Sequence, residues 1–385
     1  MNWSIVPTVL VLALVSISAT AYGEDGRWVH PKCSLLAFDE ASQIAVVPNG
    51  DIARIEGGGF QRSSDDGKTW TTPVPVAPSG APSFKSAYLV VAKSGALVLA
   101  YADGEHIKWG WNSATGEPND DISLDVWTAR STDGGKNWTD AQRVLKGYDG
   151  GPMDVKQLSG GRLVIVLQDA MRNPGRHVSF TAVSDDDGKT WRRGNIIDLG
   201  GHGHHDGAME ATTAELSTKR VLMLLRTTLG EFWSAYSDNN GLYWRELRPS
   251  GIPASSAPGF LCRLASGRLA LVWNQPESDP SKSRMGGGGD YSENRVSWDR
   301  AELSIAFSDD DARSWSAPVV IARQPDCWLS YPCVVERRPG EIWVVTRFTT
   351  NTKTGKLLKP VCISLKEKDF IRKSRLKLIK HLLGS

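Results

Sequence analysis

The eight-residue stretch Ser63-Ser64-Asp65-Asp66-Gly67-Lys68-Thr69-Trp70 has a pattern that returns four more times along the chain. The pattern reads Ser, any residue, Asp, any residue, Gly, any residue, Thr or a similar residue, and Trp. Its other copies run over 131–138, 184–191, 237–244 and 308–315. Two of them are degraded, with Asn239 in place of the Asp and Ala312 in place of the Gly. Self-similarity of this kind is typical of repeat architectures.

The pattern has the chemistry of a tight turn between two strands. Its Asp accepts hydrogen bonds from the backbone of its own turn, and its Gly adopts the positive φ angle that other residues avoid. Its Trp is a large apolar anchor for a neighbouring sheet. We therefore expect five indoles to be buried between sheets: Trp70, Trp138, Trp191, Trp244 and Trp315. The spacing of the Asp residues does not supply the oxygen cage of a calcium site, so their expected role is structural.

A second repeat alternates with the first. It consists of an apolar strand, a tight turn and another apolar strand, with β-branched residues frequent in both strands. Six such hairpins run over 44–55, 87–101, 155–167, 212–225, 261–273 and 334–346. The first five are each followed by one copy of the Ser-Asp-Gly-Trp turn. Four strands in each of six repeats predict an all-β fold, a six-bladed β-propeller.

Composition narrows the class of protein. The chain has 385 residues with 38 Gly, 20 Pro and 15 Trp, and its 45 Lys and Arg nearly balance its 43 Asp and Glu. This balance does not call for a nucleic-acid partner. The cysteines have no metal-binding spacing, and their odd number does not indicate a disulfide framework. We predict neither a metal nor another cofactor, and the sequence does not determine the oligomeric state.

The chain divides into three parts. Residues 1–23 are predicted to be a signal peptide, because the apolar run 5–17 precedes the small-residue pattern Ala19-Thr20-Ala21. That run is too short to span a bilayer, so we expect a secreted or periplasmic protein with no integral membrane span. The propeller is assigned to 24–369 and a basic tail to 370–385. The longest insertion, 274–300, is expected to be a mobile loop at the mouth of the channel.

The repeated turn resembles the Asp box, or BNR repeat, of the sialidase (neuraminidase) superfamily. The resemblance covers five of the six repeats and implies a sialidase-like propeller. As a function it implies an exported, exo-acting glycoside hydrolase whose partner is a glycan with a terminal, acidic sugar. Because many propellers with this turn are not sialidases, the motif alone does not establish activity.

Two segments resemble the catalytic strands of that superfamily. The sequences GAMEATTAEL (207–216) and VLMLLR (221–226) are similar to the stretch that carries a catalytic Glu and a substrate-binding Arg, here Glu210 and Arg226. The sequence SYPCVVE (330–336) is similar to the strand that carries the catalytic Tyr, here Tyr331. Tyr331 lies nine residues before Gly340, and Glu210 lies nine before Lys219 at the equivalent turn. Both are therefore expected at matching places on the innermost strands of blades six and four.

The resemblance implies a retaining mechanism in which Tyr331 is the nucleophile and Glu210 assists it. The carboxylate next to the anomeric carbon of a sialic acid repels a carboxylate nucleophile, whereas a neutral phenol avoids this repulsion. Glu210 removes the phenolic proton, which makes the pair an activated nucleophile with its base.

Four further residues are expected to bind substrate. The resemblance assigns Arg226 to the substrate carboxylate, and Arg300 fits a second such position ahead of the fifth turn. His205 and Asp206 belong to a Gly- and His-rich run, 202–206, just before Glu210. We expect them to contact substrate at the rim, because this run lacks the frame of a metal site.

Blade one departs from the superfamily. It lacks the Arg-Ile-Pro triplet and the long loop that carries the general acid; Asp39, Glu40, Glu56 and Asp206 are candidate replacements for that acid. Glu40 stands at the first-blade position, and Arg347 follows the last hairpin. This suggests that an acidic and a basic residue have exchanged places relative to the superfamily. We expect them to form an ion pair beneath the channel, because a lone buried charge is costly. Hydrolysis of simple sialosides is then expected to be weak or absent, with better activity on another glycan.

Two alternatives remain at this stage. One is a propeller enzyme that acts on a uronic-acid or sulfated polysaccharide with His205 and Tyr331 as base and acid. The other is a glycan-binding propeller without activity. Release of a reducing sugar or of an unsaturated product separates the two enzymes, and tight binding without turnover indicates the binding module.

Overall fold

The computed structural model describes residues 26–149, 152–279, 281, 283–286, 292 and 294–371. The expected signal peptide, 1–23, and the basic tail beyond Ile371 lie outside these residues. Regular structure is almost entirely β-strand, and the one helix in the described part is the four-residue Glu367–Phe370. Within this part of the chain, no helix has the length and apolar character needed to cross a membrane.

Six antiparallel sheets, each built on four strands, form the blades of a propeller. Blade one consists of Ile44–Val46, Ile52–Glu56, Gly59–Ser63 and Val74–Pro75, blade two of Phe84–Val91, Leu97–Asp103, Val126–Ser131 and Thr139–Leu145, and blade three of Asp154–Gln157, Leu163–Met171, Arg176–Ser184 and Arg192–Arg193. Blade four consists of Met209–Glu215, Val221–Arg226, Glu231–Ser237 and Arg245–Pro253, blade five of Phe260–Arg263, Leu269–Trp273, Glu302–Ser308 and Val319–Arg323, and blade six of Cys327–Arg338, Glu341–Asn351, Cys362–Lys366 and Cys33–Leu35. The first strands of successive blades contact one another in a closed ring, which confirms the predicted six-bladed fold.

Segments near the amino terminus close the ring. Cys33–Leu35 pairs with Cys362–Lys366 and supplies the outermost strand of blade six. Trp28–Val29 pairs with Val319–Arg323 as an additional strand of blade five. Strands of two or three residues carry no readable periodicity, so the sequence did not predict this closure.

The repeated turns have the hydrogen bonds expected of them. In blade one, Ser63 Oγ donates to Asp65 at 2.8 Å, and the backbone N–H of Gly67 donates to Ser63 Oγ at 2.8 Å. Thr69 donates to both oxygens of Asp65, from its N–H at 2.9 Å and from its hydroxyl at 2.7 Å. The bonds from Thr69 and Ser63 lower the pKa of Asp65 to about 2. The other four copies repeat the bonds from the Ser hydroxyl and from the two backbone N–H groups, so the structural role is confirmed.

The degraded fifth turn gives a test of this local chemistry. Ala312 occupies the Gly position with a φ of 65°, which is unfavourable for a residue with a Cβ. We expect Ala312→Gly to raise the free energy of unfolding by about 0.5–1 kcal/mol, measured by urea denaturation. The converse control is Gly188→Ala, whose φ is 84° and whose Cβ would lie 2.9 Å from Val98; it should be destabilising. A lower stability of Ala312→Gly would contradict the strain argument.

The five indoles pack between blades, but to different depths. Trp138 and Trp244 are buried, whereas Trp70, Trp191 and Trp315 are half-buried at the edges of apolar clusters. Trp138 lies 6.0 Å from the ring of Phe60 in the preceding blade. The expectation is therefore confirmed in full for two of the five indoles and in part for three.

Lys156 joins three blades at the centre of the ring. It lies on the first strand of blade three, and its Nζ donates to the carboxylate of Asp154 at 2.8 Å. The same ammonium group donates at 2.5 Å to the backbone carbonyls of Thr213 in blade four and Leu261 in blade five. Asp154 is 1 % exposed and also accepts the N–H of Thr213 at 2.6 Å. The half-buried ammonium group therefore pairs with the buried carboxylate and cross-links the inner strands.

Two insertions carry additional hairpins. Residues 104–125 of blade two contain paired strands Trp111–Asn112 and Glu117–Pro118, which the sequence analysis did not single out. The segment 274–300, expected to be a loop, contains paired strands Met285–Gly286 and Val296–Ser297 in its described part. The five cysteines are all thiols.

Candidate active site

A cavity of about 520 Å³ lies where blades two, three, four and six face one another. The titratable and charged residues that line it are Lys85, Tyr148, His177, His204, His205, Glu210, Arg226, Tyr331 and Arg347. Four of the six predicted site residues are among them: Tyr331, Glu210, Arg226 and His205. The other two, Arg300 and Asp206, do not line this cavity.

Tyr331 and Glu210 meet in this cavity. The Tyr331 hydroxyl donates a hydrogen bond to Glu210 Oε1 at 2.7 Å. Arg226 Nη1 donates to the other carboxylate oxygen, Oε2, at 2.5 Å. Met209 pairs with Arg226 in the first hairpin of blade four, so Glu210 and Arg226 lie at the open end of one hairpin. The carboxylate is thus held between a phenol and a guanidinium.

Both members of the Tyr331–Glu210 pair have an unusual backbone. Tyr331 has a φ of 58° and Glu210 a φ of 32°, a region that residues with a side chain rarely adopt. A register shift between Met209 and Thr212 places a bulge at Glu210, and bulges re-aim side chains. Such strain costs about 1–3 kcal/mol per residue and is concentrated at functional sites. Its presence at both residues of the pair indicates a functional constraint.

The surroundings set the protonation of the pair. Burial, together with the nearby Glu210 carboxylate, raises the pKa of Tyr331 to about 12. Burial also acts to raise the pKa of Glu210, but Arg226, the Tyr331 hydroxyl and Arg300 outweigh it and hold that pKa below its ordinary value of 4.5. Near neutral pH the phenol is therefore protonated and the carboxylate ionised, as a nucleophile and its base must be before reaction.

Arg300 lies behind the lining of the cavity. Its Nη2 donates to the backbone carbonyl of Ser256 at 2.5 Å, and Arg226 Nε donates to the hydroxyl of the same Ser256 at 3.1 Å. The Arg300 guanidinium lies 5.1 Å from the rings of both Trp298 and Trp328. Ser256 therefore ties the two arginines together, and Arg300 adds its positive charge to the field around the Tyr331–Glu210 pair.

Three histidines form part of the cavity wall. Burial, assisted by the positive charge of Arg226, lowers the pKa of His205 far below its ordinary value. Burial also lowers the pKa of His177 to about 4. Both rings are therefore neutral near pH 7. Trp111, from the blade-two insertion, stacks on His204 with 5.0 Å between ring centroids. Within the described residues no three potential ligands gather into a metal site.

Asp206 accepts hydrogen bonds from protein groups that surround it. It is 3 % exposed and accepts hydrogen bonds from the N–H of Gly207 at 2.8 Å and from the Thr228 hydroxyl at 2.6 Å. The Ser292 hydroxyl donates to it at 3.2 Å. These contacts indicate that Asp206 holds the histidine-bearing loop in place.

The other three candidates for the general acid also have partners outside the cavity. Asp39 pairs with Lys359, and Glu56 accepts a hydrogen bond from Ser42. Glu40 forms an ion pair with Arg54 at 2.9 Å. Glu210 is accordingly the one carboxylate among the described residues that line the cavity.

The expected ion pair between Glu40 and Arg347 is wrong. Arg54, on the second strand of blade one, takes the Glu40 carboxylate while its guanidinium stacks 3.9 Å from the ring of Trp70. Arg347 instead donates to the hydroxyl of Ser86 and lies 4.6 Å from the ring of Tyr88. Matching turn offsets along the sequence did not reveal Arg54, which tertiary packing brings to Glu40. The expectation of weak sialoside hydrolysis loses this part of its basis and stays a prediction, which rests on the missing first-blade arginine.

Several lining residues were missed by sequence reasoning. Trp109 is exposed at the cavity and comes from the insertion 104–125, whose length between two strands of one blade was the available signal. Gln168 and His177, on the second and third strands of blade three, lie in apolar strands that showed no motif. Gln168 accepts the N–H of Glu210 at 2.9 Å and so supports its unusual backbone.

The fold and this site define a sialidase-like β-propeller. Residues 59–344 match the BNR repeat-like domain, and the chain belongs to this family. No curated protein sequence matches the chain.

Solved structures of this fold are similar at low sequence identity. A Dyadobacter fermentans protein of unknown function is 17 % identical with a TM-score of 0.60, over 89 % of this chain and 99 % of that one. A Hadza microbial sialidase is 15 % identical with a TM-score of 0.59, over 86 % and 66 % of the two chains. An intramolecular trans-sialidase from Ruminococcus gnavus, in complex with oseltamivir carboxylate, is 13 % identical with a TM-score of 0.55, over 86 % and 94 %. At these identities the likeness shows the fold alone.

Proposed function

We propose that this chain is an exo-acting glycoside hydrolase of the sialidase type that cleaves a terminal acidic sugar, with Tyr331 as nucleophile and Glu210 as its base. The observation that carries the proposal is the 2.7 Å hydrogen bond from the Tyr331 hydroxyl to Glu210 inside the cavity. The positive φ angles of both residues support it. Residues 1–23, with the pattern of a signal peptide, fit a substrate outside the cytoplasm.

The geometry supports a two-step reaction with retention. The Tyr331 oxygen forms a bond to the anomeric carbon as the bond to the leaving oxygen breaks; the phenolic proton passes to Glu210, and the leaving oxygen takes up a proton from solvent. Water then attacks the same carbon and releases one proton to solvent, the tyrosyl bond breaks, and Glu210 returns its proton to the phenoxide. Arg226, bound to Glu210, stabilises the carboxylate before the proton arrives. Two displacements at one carbon retain its configuration.

The test is hydrolysis of a glycan panel by the purified protein. The panel holds sialosides, uronides, sulfated glycans and neutral glycosides, and products are analysed by mass spectrometry and by NMR of the first-formed anomer. We expect release of a terminal acidic sugar with retained configuration. An inverted product, or tight binding with no product from any member of the panel, would contradict the proposal.

One observation favours a second candidate, a lyase for uronic-acid polysaccharides. His205 and Tyr331 line the same cavity, so an imidazole and a phenol can both reach one bound uronate. In this reaction His205 would remove the proton next to the uronate carboxylate, a carbon–carbon double bond would form, and Tyr331 would protonate the departing oxygen. The product is then an unsaturated uronate, which is two hydrogens and one oxygen lighter than the hydrolysis product. The same mass spectra therefore separate the two reactions.

A further inference from the structure

A guanidinium on the blade-six side of the cavity has no counter-ion among the described residues. Arg347 lines the cavity, and its Nη2 donates to the Ser86 hydroxyl. Its Nη1 is shielded from solvent and has no hydrogen-bond partner in the part of the chain that the structure describes. Glu40, whose carboxylate was expected to pair with Arg347, forms its ion pair with Arg54.

The groups packed around Arg347 do not offset its charge. Tyr88, Cys333 and Tyr331 all interact electrostatically with it. Burial raises the pKa of the Tyr88 phenol, of the Cys333 thiol and of the Tyr331 phenol, so all three are neutral near pH 7. Arg347 is half-buried, and a partly desolvated cation that lacks an anionic partner is unfavourable. Lys85, which precedes Ser86 on the first strand of blade two, brings a second positive charge to the same cavity.

Glu210 does not pair with Arg347, because both of its carboxylate oxygens bind other residues. Of the described residues that line the cavity it is the one carboxylate, and it binds Arg226 through one oxygen and Tyr331 through the other. No carboxylate among the described lining residues is left to offset the charge of Arg347, so the cavity suits a ligand that brings a negative charge.

We infer that Arg347, with Lys85 and Ser86, forms the subsite that binds an anionic group of the sugar, a carboxylate or a sulfate ester. The inference rests on the proposed function in that the ligand is a glycan. Both groups present oxygens that accept the parallel N–H donors of a guanidinium, which a lysine cannot reproduce. Anion recognition is thereby divided: Arg226 serves the catalytic pair, and Arg347 selects the charged sugar.

Direct binding tests this assignment without any need for turnover. Calorimetric titrations would compare N-acetylneuraminic acid, methyl glucuronide and galactose 6-sulfate with neutral galactose. We expect the wild type to bind at least one acidic sugar more tightly than galactose, with an affinity that falls as salt rises. Arg347→Gln should weaken that binding by about tenfold or more, because a charge-assisted contact is lost. The acidic sugar bound best tells whether carboxylate or sulfate is the ligand group.

Two further variants make the outcome decisive. Lys353→Gln removes an exposed positive charge that pairs with Asp326 and is not part of the cavity lining, so it should leave binding unchanged. Arg347→Lys keeps the charge, so it reports on the subsite if the Gln variant fails to fold; we expect a smaller loss than with Gln. Unchanged affinity in both Arg347 variants, or equal binding of acidic and neutral sugars by the wild type, would overturn the inference.

The proposed subsite and the proposed nucleophile can be refuted independently of each other. Tyr331→Phe should retain the binding of acidic sugars, since Arg347, Lys85 and Ser86 are all intact. Binding that depends on Arg347, together with normal turnover by Tyr331→Phe, would refute the proposed nucleophile and leave the subsite standing. The reverse result, turnover lost in Tyr331→Phe with affinity indifferent to Arg347, would refute the subsite alone.

Discussion

Tyr331→Phe is expected to lower kcat/KM for the best glycoside of the panel by about 10³-fold or more, because the substitution removes the oxygen that forms the covalent bond. The fold should survive, since the aromatic ring remains and Glu210 keeps its bond to Arg226. Steady-state kinetics measure the first effect and urea denaturation the second. If instead the variant turned over substrate like the wild type, Tyr331 would not be the nucleophile.

Tyr101→Phe is the matched control for that experiment. The Tyr101 side chain is fully buried, its hydroxyl has no hydrogen-bond partner among the described residues, and it does not line the cavity. Loss of this hydroxyl should change neither kcat/KM nor, by more than about 1 kcal/mol, the free energy of unfolding. A comparable loss of activity in Tyr101→Phe would mean that removal of any buried phenol disturbs the fold, and the Tyr331 result would no longer identify a nucleophile.

Lys156→Met is expected to have the largest effect on stability. It leaves the Asp154 carboxylate, 1 % exposed, without its cation, and it removes the two hydrogen bonds that reach blades four and five. Removal of one partner from a buried ion pair costs about 3–5 kcal/mol. We expect a loss of that size in the free energy of unfolding, measured as a lower urea midpoint at constant slope.

A double variant separates charge from packing in this position. Asp154→Asn combined with Lys156→Met carries no buried charge, so it should be less destabilised than Lys156→Met alone. Lys353→Met removes an exposed lysine and should cost less than about 1 kcal/mol. If Lys156→Met cost no more than Lys353→Met, the ammonium group would not support the ring from its centre.

The contact between Tyr331 and Glu210 could be predicted from the sequence because the repeat marks equivalent positions in different blades. Glu210 and Tyr331 stand nine residues before equivalent turns, Lys219 with a φ of 70° and Gly340 with a φ of 75°. In a propeller, equal offsets from equivalent turns place residues at equal depths in the channel. A resemblance to known catalytic strands then distinguished these two from other residues at similar depth.

Positions relative to equivalent turns did not predict which charged side chains form ion pairs. Glu40 and Arg347 matched by position, yet Glu40 pairs with Arg54 of its own blade. An ion pair depends on which long, flexible side chains lie within about 4 Å of each other, and a repeat register predicts strand positions only. The failure changed the interpretation of the cavity, because it left Arg347 in the lining without an acidic partner among the described residues.

The sequence alone was sufficient for the six blades, their turns and the catalytic candidates. Local signals carry these features: turn chemistry at Asp65 and Gly67, and alternating strands on either side of each turn. The closure of the ring by 28–29 and 33–35, the cavity residues from the insertion 104–125, and the partners of Asp206 and Arg347 were decided by tertiary structure. Each of these is a contact between residues far apart in the chain, whose energy depends on which blades pack together and has no signature in the local pattern.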